Sequence, residues 1–175
     1  MPARIRLRPL LLALVAALLT TAPSALSAPA ELSKAELKRA EQALPQVYKE
    51  WLLEVGPILT AAERRAFLAL DKDYQRDAFI ERFWKVRDPY PDTARNEMRE
   101  TWNELVAEAR QVFGGLDDER AEIFLLNGPP AVREVDSCGI LLWPTEVWIY
   151  SSASRVREPF VVVFHQRFGQ GKWRL

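Results

Sequence analysis

The pattern of apolar and polar positions changes once along the chain. Up to about residue 113, apolar residues recur every three or four positions, which predicts helices. From about residue 121, short runs rich in Val, Ile and aromatic residues lie between turn residues, which predicts strands. Helices followed by hairpin-linked strands predict an α+β fold, with an N-terminal helical half packed with a small antiparallel β-sheet.

Capping patterns divide the first part of the helical half. Ser33 and Thr60 each precede a Glu by three positions, which is the capping box that begins a helix. Pro45 either kinks one helix or starts a second one, and we favour the second interpretation. Gly56 and Pro57 end that segment.

Two longer helices follow. Asp73 begins one, and the Asp88–Pro89 pair ends it because a residue before Pro avoids the helical region. Asp92 or Thr93 is expected to cap the next helix, which ends at Gly114. The apolar stripe of this helix comprises Met98, Trp102, Leu105, Val106, Ala109, Val112 and Phe113.

Short apolar runs in the last third predict strands joined by Gly- and Pro-containing turns. The predicted strands are Glu122–Leu126, Ala131–Val135, Glu146–Tyr150, Phe160–Phe168 and Lys172–Leu175. The strand half therefore spans about 121–175, and the helical half about 45–113.

The N-terminus has the pattern of a secretory signal peptide over 1–27. Three arginines precede the unbroken apolar run Leu10–Leu19, and small residues follow it. The run is shorter than the roughly 20 residues of a spanning helix, so we expect cleavage before Ala28 and no stable membrane span afterwards. An uncleaved anchor is the alternative. The expected location is the periplasm or the medium, with a linker and first helix over 28–43 and one domain over 44–175.

Composition excludes several classes of function. The 24 basic residues are balanced by 24 acidic ones, which argues against nucleic-acid binding. Cys138 and His165 are the only Cys and His, so no internal disulfide, zinc-type metal site or cofactor site is expected. A nucleophilic Cys138–His165 pair is less favoured than a buried thiol and a strand histidine.

Several motifs occur in a recognisable order. Phe83-Trp84, Arg87-Asp88-Pro89, Pro91, Thr93 and Asn96-Glu97 form the pattern FW-x-x-RDP-x-P-x-T-x-x-NE. Ile123–Pro130 and Glu146–Tyr150 follow it as a G-x-P turn region and an E-V-W-x-Y strand. This order resembles the bacterial GWxTD domain over roughly Leu44–Leu175. The resemblance implies an exported bacterial protein, and the family has no established activity.

The eponymous tract of that family is degenerate in this chain. Residues 115–120 read Gly-Leu-Asp-Asp-Glu-Arg, so Leu116 stands in the place of the family Trp. Asp118 and Glu119 replace the family Thr-Asp pair. The role of that Trp and Thr is therefore in doubt here.

Five residues around the Pro-rich joint are the candidate site. They are Trp84, Arg87, Asp88, Asn96 and Glu97. An Arg–carboxylate network that fixes the angle between two helices is the favoured interpretation, with a partner-binding patch as a further one.

Non-catalytic binding to another envelope protein is the expected function, because no nucleophilic or metal-binding constellation is present. One alternative is a hydrolase of envelope polymers that uses Asp88 or Glu97 as acid or base. Another is a glycan-binding module with exposed Trp143, Trp148 or Trp173 side by side.

Overall fold

The computed structural model describes residues 33–136, 143–152 and 158–175. Six α-helices precede a four-stranded antiparallel sheet in these ranges, which confirms the α+β prediction. The predicted signal peptide, the start of the linker and Cys138 lie outside the described residues.

The first three helices begin and end near the predicted positions. Helix α1 (Lys34–Ala43) and helix α3 (Ala61–Leu68) each begin with a complete capping box, formed by Ser33 with Glu36 and by Thr60 with Glu63. Helix α2 (Gln46–Val55) is separate from α1 because Leu44 and Pro45 are extended. A 3₁₀ turn at Gly56–Ile58 follows α2.

The next two helices form the corner of the helical half. Helix α4 spans Asp73–Val86, and helix α5 spans Glu97–Phe113. Gly114 ends α5 with φ of 74°, a left-handed conformation that favours glycine. The cap of α5 is Asn96, so the prediction of Asp92 or Thr93 is wrong. The chain continues as a turn through residues 91–95 before α5 begins.

The predicted strand Glu122–Leu126 is a helix instead. Helix α6 spans Glu119–Asn127, and the Asp118 side chain caps it by accepting from the Arg120 amide. Its buried residues Ala121, Phe124 and Leu125 are three and four positions apart, which is helical spacing. The short apolar run alone could not separate the two possibilities, whereas the acidic residues before it are typical of a helix start.

The sheet has the strand order β1-β2-β3-β4. Its strands are β1 (Val132–Asp136), β2 (Thr145–Tyr150), β3 (Phe160–Gln166) and the short β4 (Trp173–Arg174). All neighbouring pairs are antiparallel, with Trp148 opposite Val162 and Val147 opposite Val163. Since successive side chains point to opposite faces, each strand contributes alternate residues to an inner face and an outer face.

The core combines aromatic side chains from both halves. Trp51, Trp84 and Trp102 are buried on their helices, as predicted. The Trp51 ring lies 4.7 Å from the Phe67 ring, and the Phe113 ring of α5 lies 5.7 Å from the Trp148 ring of β2. Helices therefore cover the inner face of β2 and β3, while β1 is exposed.

Candidate functional site

Arg87 holds the predicted corner through a different carboxylate from those expected. Its Nη2 lies 2.8 and 2.9 Å from the two carboxylate oxygens of Glu63 on α3. Its guanidinium carbon lies 3.7 Å from the centre of the Phe83 ring. Burial alone would raise the pKa of Glu63, but hydrogen bonds from Thr60 and Arg87 lower it below its ordinary value. The ion pair thus joins the end of α4 to the start of α3.

Asn96 joins the two helices on either side of the corner. Its Oδ1 accepts from the Arg99 amide at 2.8 Å, and its Nδ2 donates to the Trp84 carbonyl at 2.8 Å. Trp84 itself is buried. Asn96 therefore links the end of α4 to the start of α5, whereas the Arg87–Glu63 ion pair links α4 to α3.

Asp88 and Glu97 are not ion-paired with Arg87. The Asp88 Oδ1 accepts from the Tyr90 amide at 3.0 Å. The Glu97 Oε1 lies 3.1 Å from the Thr93 hydroxyl, while its Oε2 is buried without a hydrogen-bond partner among the described residues. The positive charge of Arg95 nevertheless acts on this carboxylate. A partly buried carboxylate is one type of group that acid–base chemistry uses.

An unpredicted charge network lies where α6 meets the sheet. Glu146 of β2 is 1% exposed, and it accepts from the Trp148 indole at 2.6 Å, from Arg120 Nη1 at 2.8 Å and from Arg133 Nε. Arg120 also lies 2.8 Å from Asp118. Two of the motifs noted in the sequence, the tract around Asp118 and the Glu146 strand, therefore meet in one buried ion-pair cluster.

The sequence of β2 could have indicated that Glu146 is buried. Glu146 shares its face with Trp148 and Tyr150, so a strand buried on that side must bury the carboxylate. Burial would raise the pKa of Glu146, but hydrogen bonds from Arg133, Trp148 and Arg120 lower it below its ordinary value. The group is consequently held charged, and its contacts are structural.

The outer face of the sheet carries a continuous group of β-branched residues. We call this group the outer patch, and it consists of Val132, Val147, Ile149, Val161 and Val163. Val161 is 58% exposed and Val163 is 49% exposed, and no described helix covers them. Cross-strand neighbours lie about 5 Å apart, so these side chains form one apolar surface.

An exposed aromatic cluster adjoins the outer patch. It consists of Trp143, His165 and Phe168: the Trp143 ring stacks on His165 with 5.7 Å between centroids and meets Phe168 edge-on at 5.5 Å. Trp143 is 46% exposed and Phe168 is 71% exposed. Phe168 has φ of 56°, a left-handed conformation that is rare for a bulky residue and costs on the order of 1–3 kcal/mol. Strain at an exposed apolar side chain is typical of a binding site.

The three strand-half tryptophans do not form a shared platform. Trp148 is fully buried and Trp173 is half-buried beside Arg120, whose guanidinium carbon lies 4.7 Å from its ring. Only Trp143 of these three is exposed. The glycan-binding alternative requires two of these tryptophans to be exposed side by side, and these three residues do not meet that requirement.

Comparisons with known proteins leave the family resemblance as a prediction. No model of a protein family, no curated protein and no solved structure matches the chain. Over the residues with described placement, no helix is long and apolar enough to cross a membrane. The same part of the chain brings no three His, Cys, Asp or Glu side chains together as a metal site.

Proposed function

We propose that the chain is an exported bacterial envelope module that binds a protein partner through the outer patch and the aromatic cluster. The observation that carries this proposal is the exposure of Val161 and Val163 on a sheet face that no described element covers. Contiguous exposed apolar surface of this kind marks interaction sites. The signal-peptide pattern and the GWxTD resemblance support the envelope location.

The chemistry of this surface favours a protein partner. The Val and Ile side chains of the outer patch carry no hydrogen-bonding groups, so they suit apolar side chains better than a polar sugar. The charged Glu134 lies beside them, opposite Val147. Trp143 and Phe168 supply the aromatic side chains that often dominate binding energy at interfaces. The corner residues Trp84, Arg87 and Asn96 contribute indirectly, because their contacts are used to hold the helices.

The test is capture of envelope proteins by the purified chain and by two variants. Val161→Lys combined with Val163→Lys places two charges on the outer patch, and Val47→Lys places one on exposed surface of α2. We expect one defined protein, identified by mass spectrometry, to be captured by the wild type and by Val47→Lys. The double variant should lose it while unfolding at the same urea concentration as the wild type.

Two results would contradict the proposal. The first is unchanged capture of the same protein by the double variant. The second is the absence of any captured protein that depends on the folded wild-type chain.

A hydrolase remains the second candidate because the Glu97 Oε2 is buried without a partner among the described residues. In this alternative Glu97 or Asp88 transfers a proton during cleavage of an envelope polymer. Hydrolysis assays should then detect activity that Glu97→Gln removes at unchanged stability. An inactive wild type on envelope glycans and peptides would reject this candidate.

A further inference from the structure

A groove among the helices forms a second surface, and no residue of the described strands lines it. It encloses about 800 Å³ and is lined by residues of α1, α2, α3 and α6 together with the 3₁₀ turn. Its apolar lining includes Leu52, Leu116 and Leu125, all of them buried, and the half-exposed Leu53. A volume of this size lies within the range of small-molecule sites, roughly 300–1,000 Å³.

The charged lining of the groove comprises three cationic side chains and two acidic ones. Lys38 of α1 and Lys49 of α2 line it, and neither is in an ion pair within the described ranges. Arg64 is neutralised by Glu41 at 2.6 Å. Glu122 of α6 is the other acidic side chain of the lining. Two unpaired ammonium groups therefore stand beside an apolar surface, with the negative charge of Glu122 on another helix.

We propose that this groove binds a single-chain anionic amphiphile, a long-chain carboxylate. Its hydrocarbon chain would lie on Leu52, Leu116 and Leu125, where it removes apolar surface from water. Its carboxylate would lie between Lys38 and Lys49, because the charges are complementary there and Glu122 repels it from α6. This inference does not depend on the partner-binding function of the sheet.

Three probes with the same chain length test the role of the headgroup. Isothermal titration of the full-length chain with dodecanoate, dodecanol and dodecyltrimethylammonium, each below its micelle concentration, compares anionic, neutral and cationic headgroups. We expect saturable binding of dodecanoate, at least about tenfold weaker binding of dodecanol, and none of the cationic probe.

Variants test the assigned residues. Lys38→Gln with Lys49→Gln should weaken dodecanoate binding about tenfold, to the level of dodecanol, whereas the exposed α4 residue Lys85→Gln should leave it unchanged. Leu116→Trp should fill the groove and abolish binding. Because that change affects a buried position, a second variant is needed. Leu53→Glu lies on the half-exposed wall of the groove, where its charge should disfavour the ligand's hydrocarbon chain without disrupting the fold.

Specific outcomes would overturn the inference. Equal binding of the three probes, or no loss in the double lysine variant, would mean an apolar surface without headgroup recognition. Absence of dodecanoate binding to the folded wild type, or unchanged binding in Leu53→Glu, would likewise reject the site.

Discussion

The two faces of the sheet are built from alternate residues of the same strands, yet one is buried in the core and the other is exposed to solvent. On the inner face, Trp148 and Phe164 are fully buried and even the Glu146 carboxylate is enclosed with its partners. On the outer face, Val161 and Val163 remain in contact with solvent. The inner face buries a carboxylate, which loses its hydration, whereas the outer face leaves apolar side chains in contact with water.

This contrast distinguishes residues that are needed for folding from residues that are available for binding. The inner face has paired its charge and packed its rings, so its residues are explained by folding alone. Val161 and Val163 of the outer patch are exposed, and Phe168 has a strained backbone beside them. Apolar residues that do not serve the fold are the ones that a binding partner can use.

The largest expected effect separates neighbouring residues of β3. Phe164→Ala removes a fully buried ring and should lower the free energy of unfolding by about 3–5 kcal/mol. Val163→Ala, one position away on the outer face, should lower it by less than about 1 kcal/mol. Urea denaturation measures both, and similar losses for the two variants would mean that the outer face is covered in the folded protein.

The next effect compares two glutamates on opposite faces. Glu146→Gln should destabilise the protein by about 3 kcal/mol, because it leaves Arg120 and Arg133 without their shared carboxylate. Glu134→Gln on exposed β1 should change the free energy of unfolding by less than about 0.5 kcal/mol. If Glu146→Gln proves neutral, the buried network does not hold α6 to the sheet.

The sequence predicts strand β2 but not which of its faces is buried. Val147, Trp148, Ile149 and Tyr150 are all apolar, so the run predicts a strand, but no alternation with polar residues tells which side the helices cover. Glu146 shows why tertiary context decides: its partner Arg120 lies 26 positions away and belongs to a segment that was expected to precede a strand. Packing against the sheet and the Asp118 cap make that segment helical.

The helical half follows local rules more closely. Ser33 and Thr60 cap the helices that they were expected to cap, because a capping box involves only residues three positions apart. The partner of Arg87 is Glu63, which lies 24 positions away, and no local pattern selects it over Asp88 or Glu97. The sequence places Arg87, Asp88 and Glu97 near the turn between α4 and α5, but only the fold shows which of them are paired.

The buried Glu146 of the inner face should contribute to the loss of stability in acid. The folded-state pKa of Glu146 lies below its unfolded value, so its stabilisation is complete above the unfolded pKa, about 4.3, and is lost as the pH falls through the folded pKa. We expect the free energy of unfolding to decline below that value in the wild type, and less steeply in Glu146→Gln. Equal slopes for the two proteins would assign acid sensitivity to other carboxylates such as Glu63, whose pKa is also lowered.

A small gain in stability is expected when Phe168 is replaced. Phe168→Gly relieves the left-handed backbone, so the free energy of unfolding should stay equal or rise by up to about 1 kcal/mol. Partner capture should nevertheless weaken, because an exposed aromatic side chain is lost. A stability loss above about 1 kcal/mol would show instead that Phe168 serves the fold.

The most direct test of the outer patch as a binding surface is site-specific photo-cross-linking in the envelope. A photoreactive residue replaces Val163 in one protein and Tyr74, an exposed aromatic residue of α4, in the other. If the outer patch binds a protein partner, position 163 should give one discrete protein adduct and position 74 none. Absence of an adduct at 163, or the same adduct from both positions, would contradict it.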